Sequence, residues 1–293
     1  PSVRRMLKRV LAIGSSAAVV GALLTGVMAG PAAADSDECP QNPSPDLSGD
    51  GSANGSQANP YVISSAADLQ EFRDNDASGK DYWARGVYVE LTADINMGGC
   101  VWSSPIAKSS AYYGKFDGNG FTISGLSVND TSGAQYVGLF GFAGGDGVND
   151  RAEISNLTFT GNVTGGSSDQ VGGLIGGAFN DSAFSNVHVS GTVSGSGSVG
   201  GLIGYANTTG VISGSSASGN VTGTGDDVGG LLGYLANNAQ VSNSYATGDV
   251  QGGSNVGGLV GEYSSGSIAT SYANGVVTGG ARGGLVGGPS TVT

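Results

Sequence analysis

Val228-Gly229-Gly230-Leu231-Leu232-Gly233 has near copies at 171–176, 199–204 and 256–261, a shortened one at 137–141 and a last one at 283–287. The central leucine falls at Leu139, Leu174, Leu202, Leu231, Leu259 and Leu285, so the intervals are 35, 28, 29, 28 and 26 residues. Self-similarity at such a period marks a solenoid or repeat array, in which each unit buries its apolar face only by stacking on its neighbours. A second block recurs between the glycine motifs, starting at Ile154, Phe184, Ile212, Val241 and Ile268. Three places on stand Leu157, Val187, Ser215, Ser244 and Ser271; five places on, Phe159, Val189, Ala217, Ala246 and Ala273; nine places on, Val163, Val193, Val221, Val250 and Val277. Apolar or small residues alternating with polar ones have the period of a strand with one buried face.

Two columns predict special backbone. Gly161, Gly191, Gly219, Gly248 and Gly275 occupy one place in every copy, as a corner or a close backbone approach requires. Asn156, Asn186, Gly214, Asn243 and Thr270 occupy another, and apart from Thr270 these are residues that enter the left-handed region cheaply, which predicts a corner. Leu231 and Leu232 are adjacent, so a regular strand would expose one of them. The paired glycines are therefore expected to bend the chain and bury both columns, whereas an exposed Leu232 column would mark a partner surface. The fold expected is all-β, a parallel β-helix with coils of about 28 residues.

Residues 59–135 lack the repeat and are read as an N-terminal cap with the first strands, ahead of a repeat region at 136–293. Ser65 before Ala66-Ala67-Asp68-Leu69-Gln70-Glu71-Phe72 reads as a capped short helix. Runs at 87–95 and 121–126 read as strands, and Asp117-Gly118-Asn119-Gly120 as a tight turn. Such a cap covers the core and the strand edge that a solenoid end leaves exposed.

Arg4, Arg5, Lys8 and Arg9, an apolar or small stretch at 10–29 and Ala32-Ala33-Ala34 make residues 1–34 a secretory signal peptide, with a membrane anchor as the alternative reading. Residues 35–58 have linker composition. Cleavage leaves 7 basic against 23 acidic residues, a formal charge of −16, which disfavours nucleic acid and anionic lipid as partners. The expected location is extracellular or on the cell surface, without membrane insertion after cleavage. Cys39 and Cys100 are the only cysteines; in an exported chain they either close one disulfide across the N-terminal segment or stand too far apart to bridge. No cofactor is expected. Asp46, Ser48, Asp50 and Gly51 resemble the start of a calcium loop, but Gln57 stands where a bidentate Glu would be needed.

The glycine motif, together with Asn243-Ser244-Tyr245-Ala246-Thr247-Gly248, resembles the GLUG repeat of bacterial and archaeal surface proteins. The runs Asn59-Pro60-Tyr61-Val62-Ile63, Leu91-Thr92-Ala93-Asp94-Ile95 and Phe116 to Phe121 resemble the region that precedes such repeats. The resemblance covers 59–288 and implies a parallel β-helix on secreted or surface proteins, among them adhesin-like proteins and non-catalytic parts of some immunoglobulin A peptidases. It supplies no catalytic residue to carry over. Arg282 replaces the usual valine in the last copy, and further C-terminal repeats or domains, or a partner, are expected beyond it.

The function expected is non-catalytic binding, not an enzyme's, with two alternatives beside it. The first is adhesion or binding to an extracellular glycan or protein surface, with Tyr245 and Tyr272 at equivalent places either stacking on sugar rings or forming a stabilising ladder. The second is a β-helix polysaccharide lyase or hydrolase. It needs clustered carboxylates and a base, for which only Asp226 with Asp227, and Asp146 with Asp150, come forward; His188 reads as an exposed strand residue. The third is a structural or ice-binding face built from outward residues such as Thr160, Asn162, Thr164, Ser190, Thr192 and Ser194, a ladder that Asp249, Gln251 and Val276 interrupt.

Overall fold

The computed structural model describes residues 39–40, 46–48, 52–74, 81–144 and 151–288. The signal segment 1–34 lies outside them, as do Asp50 and Gly51 of the calcium-like run and the Asp146 and Asp150 pair. The described strands form three sheets of 18, 6 and 5 strands, and every pairing between them is parallel. One coil runs through Ser198–Gly200 in the six-stranded sheet, Ile203–Thr208 in the five-stranded sheet, then Val211–Ser213, Ser216–Ala217 and Val221–Gly223 in the large sheet. Asp227–Gly229 opens the next coil. Tyr61, Val89, Phe116, Ile154, Phe184, Ile212, Val241 and Ile268 stand in unbroken register, which defines eight rungs. All but Ile268 are buried.

Three of those rungs, Tyr61, Val89 and Phe116, come from the segment expected to act as a cap, so the solenoid begins well before its sequence repeat. The helix α1 spans Ala66–Asp74. Its Asp68 N–H donates to Ser65 Oγ at 3.2 Å, which is N-capping. Leu69 and Phe72 are buried as expected, and the Phe72 ring meets Tyr82, Tyr112, Phe116 and Phe140. Gln70 and Glu71 are buried too, because Gln70 Oε1 accepts from Trp102 Nε1 at 2.9 Å and Glu71 accepts from the Tyr82 hydroxyl at 3.3 Å. Cys39 and Cys100 are joined by a disulfide, with Cα atoms 4.6 Å apart. The turn at Asp117 to Gly120 is a solenoid corner rather than a hairpin: Lys115–Asp117 and Thr122–Asn129 pair with other coils, not with each other.

The opening motif resolves residue by residue. Asp227–Gly229 and Leu232–Ala236 belong to different sheets, with the chain bending at Gly230-Leu231, so Leu231 and Leu232 are both fully buried. The Leu232 column is thus core, not a partner surface. Gly229 lies against the backbone of the five-stranded sheet, where an added Cβ would stand 2.6 Å from Gly261 N. Gly233 lies against the six-stranded sheet, 2.6 Å from Val199 N. The two short sheets therefore pack backbone on backbone, and side chains would force them apart. In the Gly191 column the added Cβ would collide with the carbonyl of the equivalent glycine one coil back, so this is a close approach, not a positive-φ corner.

The true corner is the neighbouring column. Asn156, Asn186, Gly214, Asn243 and Thr270 have φ of 52°, 54°, 58°, 50° and 49°. Directly after it the core changes from Leu157 and Val187 to Ser215, Ser244 and Ser271. Each of these hydroxyls donates to a carbonyl two residues back and accepts the backbone N–H of the preceding coil: Val187 N to Ser215 Oγ, Ser215 N to Ser244 Oγ and Ser244 N to Ser271 Oγ, all at 3.2 Å. Ser244→Ala should leave the Ser215 N–H buried without an acceptor and cost about 1–3 kcal/mol in urea unfolding. An unchanged midpoint would show that the ladder carries no stability.

Candidate functional site

The core consumes the inward columns, so the chemistry lies on the outer face of the large sheet. Near its N-terminal end Tyr88, Glu90, Lys115, Asp117 and Glu153 line a cleft of about 290 Å³. Register places Glu90 beside Asp117 and Lys115 beside Glu153. Lys115 Nζ stands 3.6 Å from Glu153 Oε1 and 5.4 Å from the Tyr88 ring centre, while Arg151 Nε pairs with the same Glu153 oxygen at 2.7 Å. Mixed charge beside an aromatic ring suits a hydroxyl-rich ligand, since paired charges both donate and accept. The sequence reading passed over this cleft because all of its named residues but Glu153 come from coils that precede the repeat.

Farther along the large sheet, past its left-handed corner, Tyr245 and Tyr272 stack in register with ring centres 5.1 Å apart and planes 5° from parallel. Each ring covers the facing side of the other. Tyr272, 54% exposed, therefore presents the open ring face to solvent. His188, read as an exposed strand residue, is half-buried and bonded at both nitrogens: Nδ1 lies 2.8 Å from Ser216 Oγ and Nε2 lies 3.1 Å from Asn186 Oδ1. The aligned columns held the clue, because His188 and Ser216 share one place in consecutive copies.

A second aromatic stripe, on the five-stranded sheet and its junction with the six-stranded one, was not foreseen. Tyr136, Phe142, Phe179, Tyr205 and Tyr234 follow one another with ring centres 4.9 to 6.5 Å apart. Gly177 interrupts the column, and Phe179 fills its place from two residues on, which hid the stripe from alignment. Glu262 ends it, one rung beyond Tyr234. Burial, together with the hydrogen bond and charge of Asp227, raises the Glu262 carboxyl above the ordinary value, and Asn255 Nδ2 bridges the two acids at 3.0 Å each. Of the candidate carboxylates, Asp226 is exposed and accepts from Ser254, while the half-buried Asp227 accepts from Ser198 and Asn255.

The hydroxyl-rich outer columns are also internally bonded. Thr192 Oγ1 donates to Asn162 Oδ1 at 2.8 Å and Ser194 Oγ to Thr164 Oγ1 at 3.4 Å, so these hydroxyls are turned along the stack. Of the calcium-like run, Asp46 Oδ1 accepts the Ser48 N–H at 2.7 Å. Among the described residues no group of three or more His, Cys, Asp or Glu is arranged to hold a metal, and no helix is long and apolar enough to cross a membrane.

The GLUG motif matches residues 167–194, 195–222 and 225–251, about one coil each. The chain is 34% identical over 125 residues to a provisionally named Gly-rich membrane protein of Evansella cellulosilytica, which covers 42% of this chain and 14% of that protein. It is 41% identical over 85 residues to halomucin of Haloquadratum walsbyi, covering 29% of this chain and 1% of halomucin. The chain thus spans a small fraction of the length of these relatives. Among solved structures, a Bacteroides ovatus protein provisionally described as an immunoglobulin A1 protease has a TM-score of 0.54 at 23% identity, over 75% of this chain and 68% of that one. At that identity the likeness is one of fold.

Proposed function

From a chain whose successive coils are GLUG repeats wound into a parallel β-solenoid, we propose an exported scaffold that holds an extracellular glycan against the outer face of its large sheet. The observations that carry this reading are a charged, aromatic-walled cleft and an open tyrosine ring, both on the outer side of the large sheet, one before and one after its left-handed corner. Halomucin and a membrane protein among the relatives support a location at the cell surface, as does the signal-like 1–34 segment. The acidic surface left after cleavage favours neutral sugars over anionic ones.

A glycan array tests it. Tyr272→Ala should weaken binding about tenfold, because it removes the open stacking face, and Tyr245→Ala should weaken it less. Binding unchanged in both variants would remove the tyrosine pair from the site. No glycan bound by the unaltered chain would remove the reading itself, with a protein ligand next in line.

A further inference from the structure

A directed chain of hydrogen bonds crosses four rungs of the large sheet and ends on a serine hydroxyl. Asp117 Oδ1 accepts from Asn156 Nδ2 at 2.9 Å. An ionised carboxylate only accepts, so Asn156 must turn its amide nitrogen toward Asp117 and its oxygen the other way. That oxygen receives Asn186 Nδ2 at 3.0 Å, which turns the Asn186 oxygen toward His188 Nε2 at 3.1 Å. An amide oxygen cannot donate, so Nε2 must carry the imidazole proton. In the neutral imidazole Nδ1 is then a bare lone pair that accepts the Ser216 hydroxyl hydrogen bond at 2.8 Å. The left-handed backbone of Asn156 and Asn186 brings their amides into this line.

We infer that Ser216 is a base-activated nucleophile toward small acyl esters, with His188 as its base and Asn186 as the positioning residue that fixes the imidazole tautomer. A hydroxyl and a base in hydrogen-bond contact, with the base held by a third group, is the arrangement nucleophilic acyl transfer requires. Ser216 is 5% exposed and stands between His188 on one rung and Tyr245 on the next, so only a small acyl group such as acetyl reaches it. Ser216 Oγ forms a bond to the ester carbonyl carbon as its proton passes to His188 Nδ1. The carbon–oxygen bond to the alcohol then breaks, and the alcohol leaves with that proton. Water attacks the acyl-serine in the same way, giving back the acid and the free hydroxyl. This inference is independent of glycan binding.

The test treats the intact, disulfide-bonded chain with p-nitrophenyl acetate and maps the acetylated residue by mass spectrometry. Ser216 should be labelled about 100-fold faster than the exposed Ser190 and Ser218. Ser216→Ala should abolish the label, and His188→Gln should slow it about 100-fold at an unchanged melting temperature, since glutamine keeps a hydrogen bond but takes no proton. Asn186→Gly, which tolerates the positive φ but removes the acceptor, should slow labelling, and Asn186→Asp should restore it. Labelling of Ser216 no faster than Ser190 and Ser218, or as fast in His188→Gln as in the unaltered chain, would overturn the inference.

Discussion

Gly230→Ala should destabilise the solenoid by about 3–5 kcal/mol, while Gly284→Ala, at the same place in the last copy of the motif, should leave it unchanged or raise it by about 0.4–1 kcal/mol. At Gly230 the added Cβ collides with the Gly258 carbonyl oxygen and stands 2.8 Å from Ala246 Cβ. Neither neighbour is a flexible side-chain end, so relief requires the coils themselves to separate. The same column repeats the conflict: Gly201 meets the Gly230 carbonyl and Ala217, and Gly258 meets the Gly284 carbonyl and Ala273. Gly284 meets no described atom within 4 Å and has no positive φ, so alanine there only restricts the unfolded chain. Urea midpoints of the two variants decide the matter. Equal losses would mean that the motif requires glycine for a local reason and not for contact between coils.

Opening the Cys39–Cys100 disulfide should lower stability by roughly 4 kcal/mol, the chain-entropy value for a loop closed across a sequence separation of 61. The bond ties the segment before the first rung to Ile95–Trp102, the strand whose Trp102 is fully buried and bonded to α1. Its loss therefore loosens the N-terminal cap, where a repeat array starts to unravel if its end is uncovered. Cys39→Ala is the cleaner variant, because the buried Cys100 left behind packs as a small apolar side chain. The midpoint should fall equally in Cys39→Ala and in the reduced chain, and reductant should add nothing to the variant. A reduced chain that unfolds at the same urea concentration would show that the cap is held by its aromatic cluster alone.

Most of the architecture was legible because a solenoid writes its contacts into its period. Residues one coil apart, 28 to 30 positions in this column, are neighbours, so aligning the copies of this one chain was equivalent to reading the strand register, and Val163, Val193, Val221 and Val250 pair in that order. The left-handed corner was equally readable, since Asn and Gly at one place have few other uses; Thr270 adopts the same φ because its neighbours along the stack impose it. The start of the array was not legible. Tyr61, Val89 and Phe116 form rungs without the glycine motif, in a part of the core that holds the large buried side chains Phe72 and Trp102.

The sequence by itself determined that the chain coils, how long a coil is and which columns are buried, since periodicity encodes burial directly. Only the tertiary structure decided what the outer face does. Side chains there are free of the packing constraint, so the columns place His188 beside Ser216 but do not record that the two are hydrogen-bonded, and no pattern records that Phe179 fills the gap at Gly177. It also decided why Val228 to Gly233 needs each glycine. Three different backbones press on Gly229, Gly230 and Gly233, and a motif in sequence cannot say which neighbour a missing side chain makes room for.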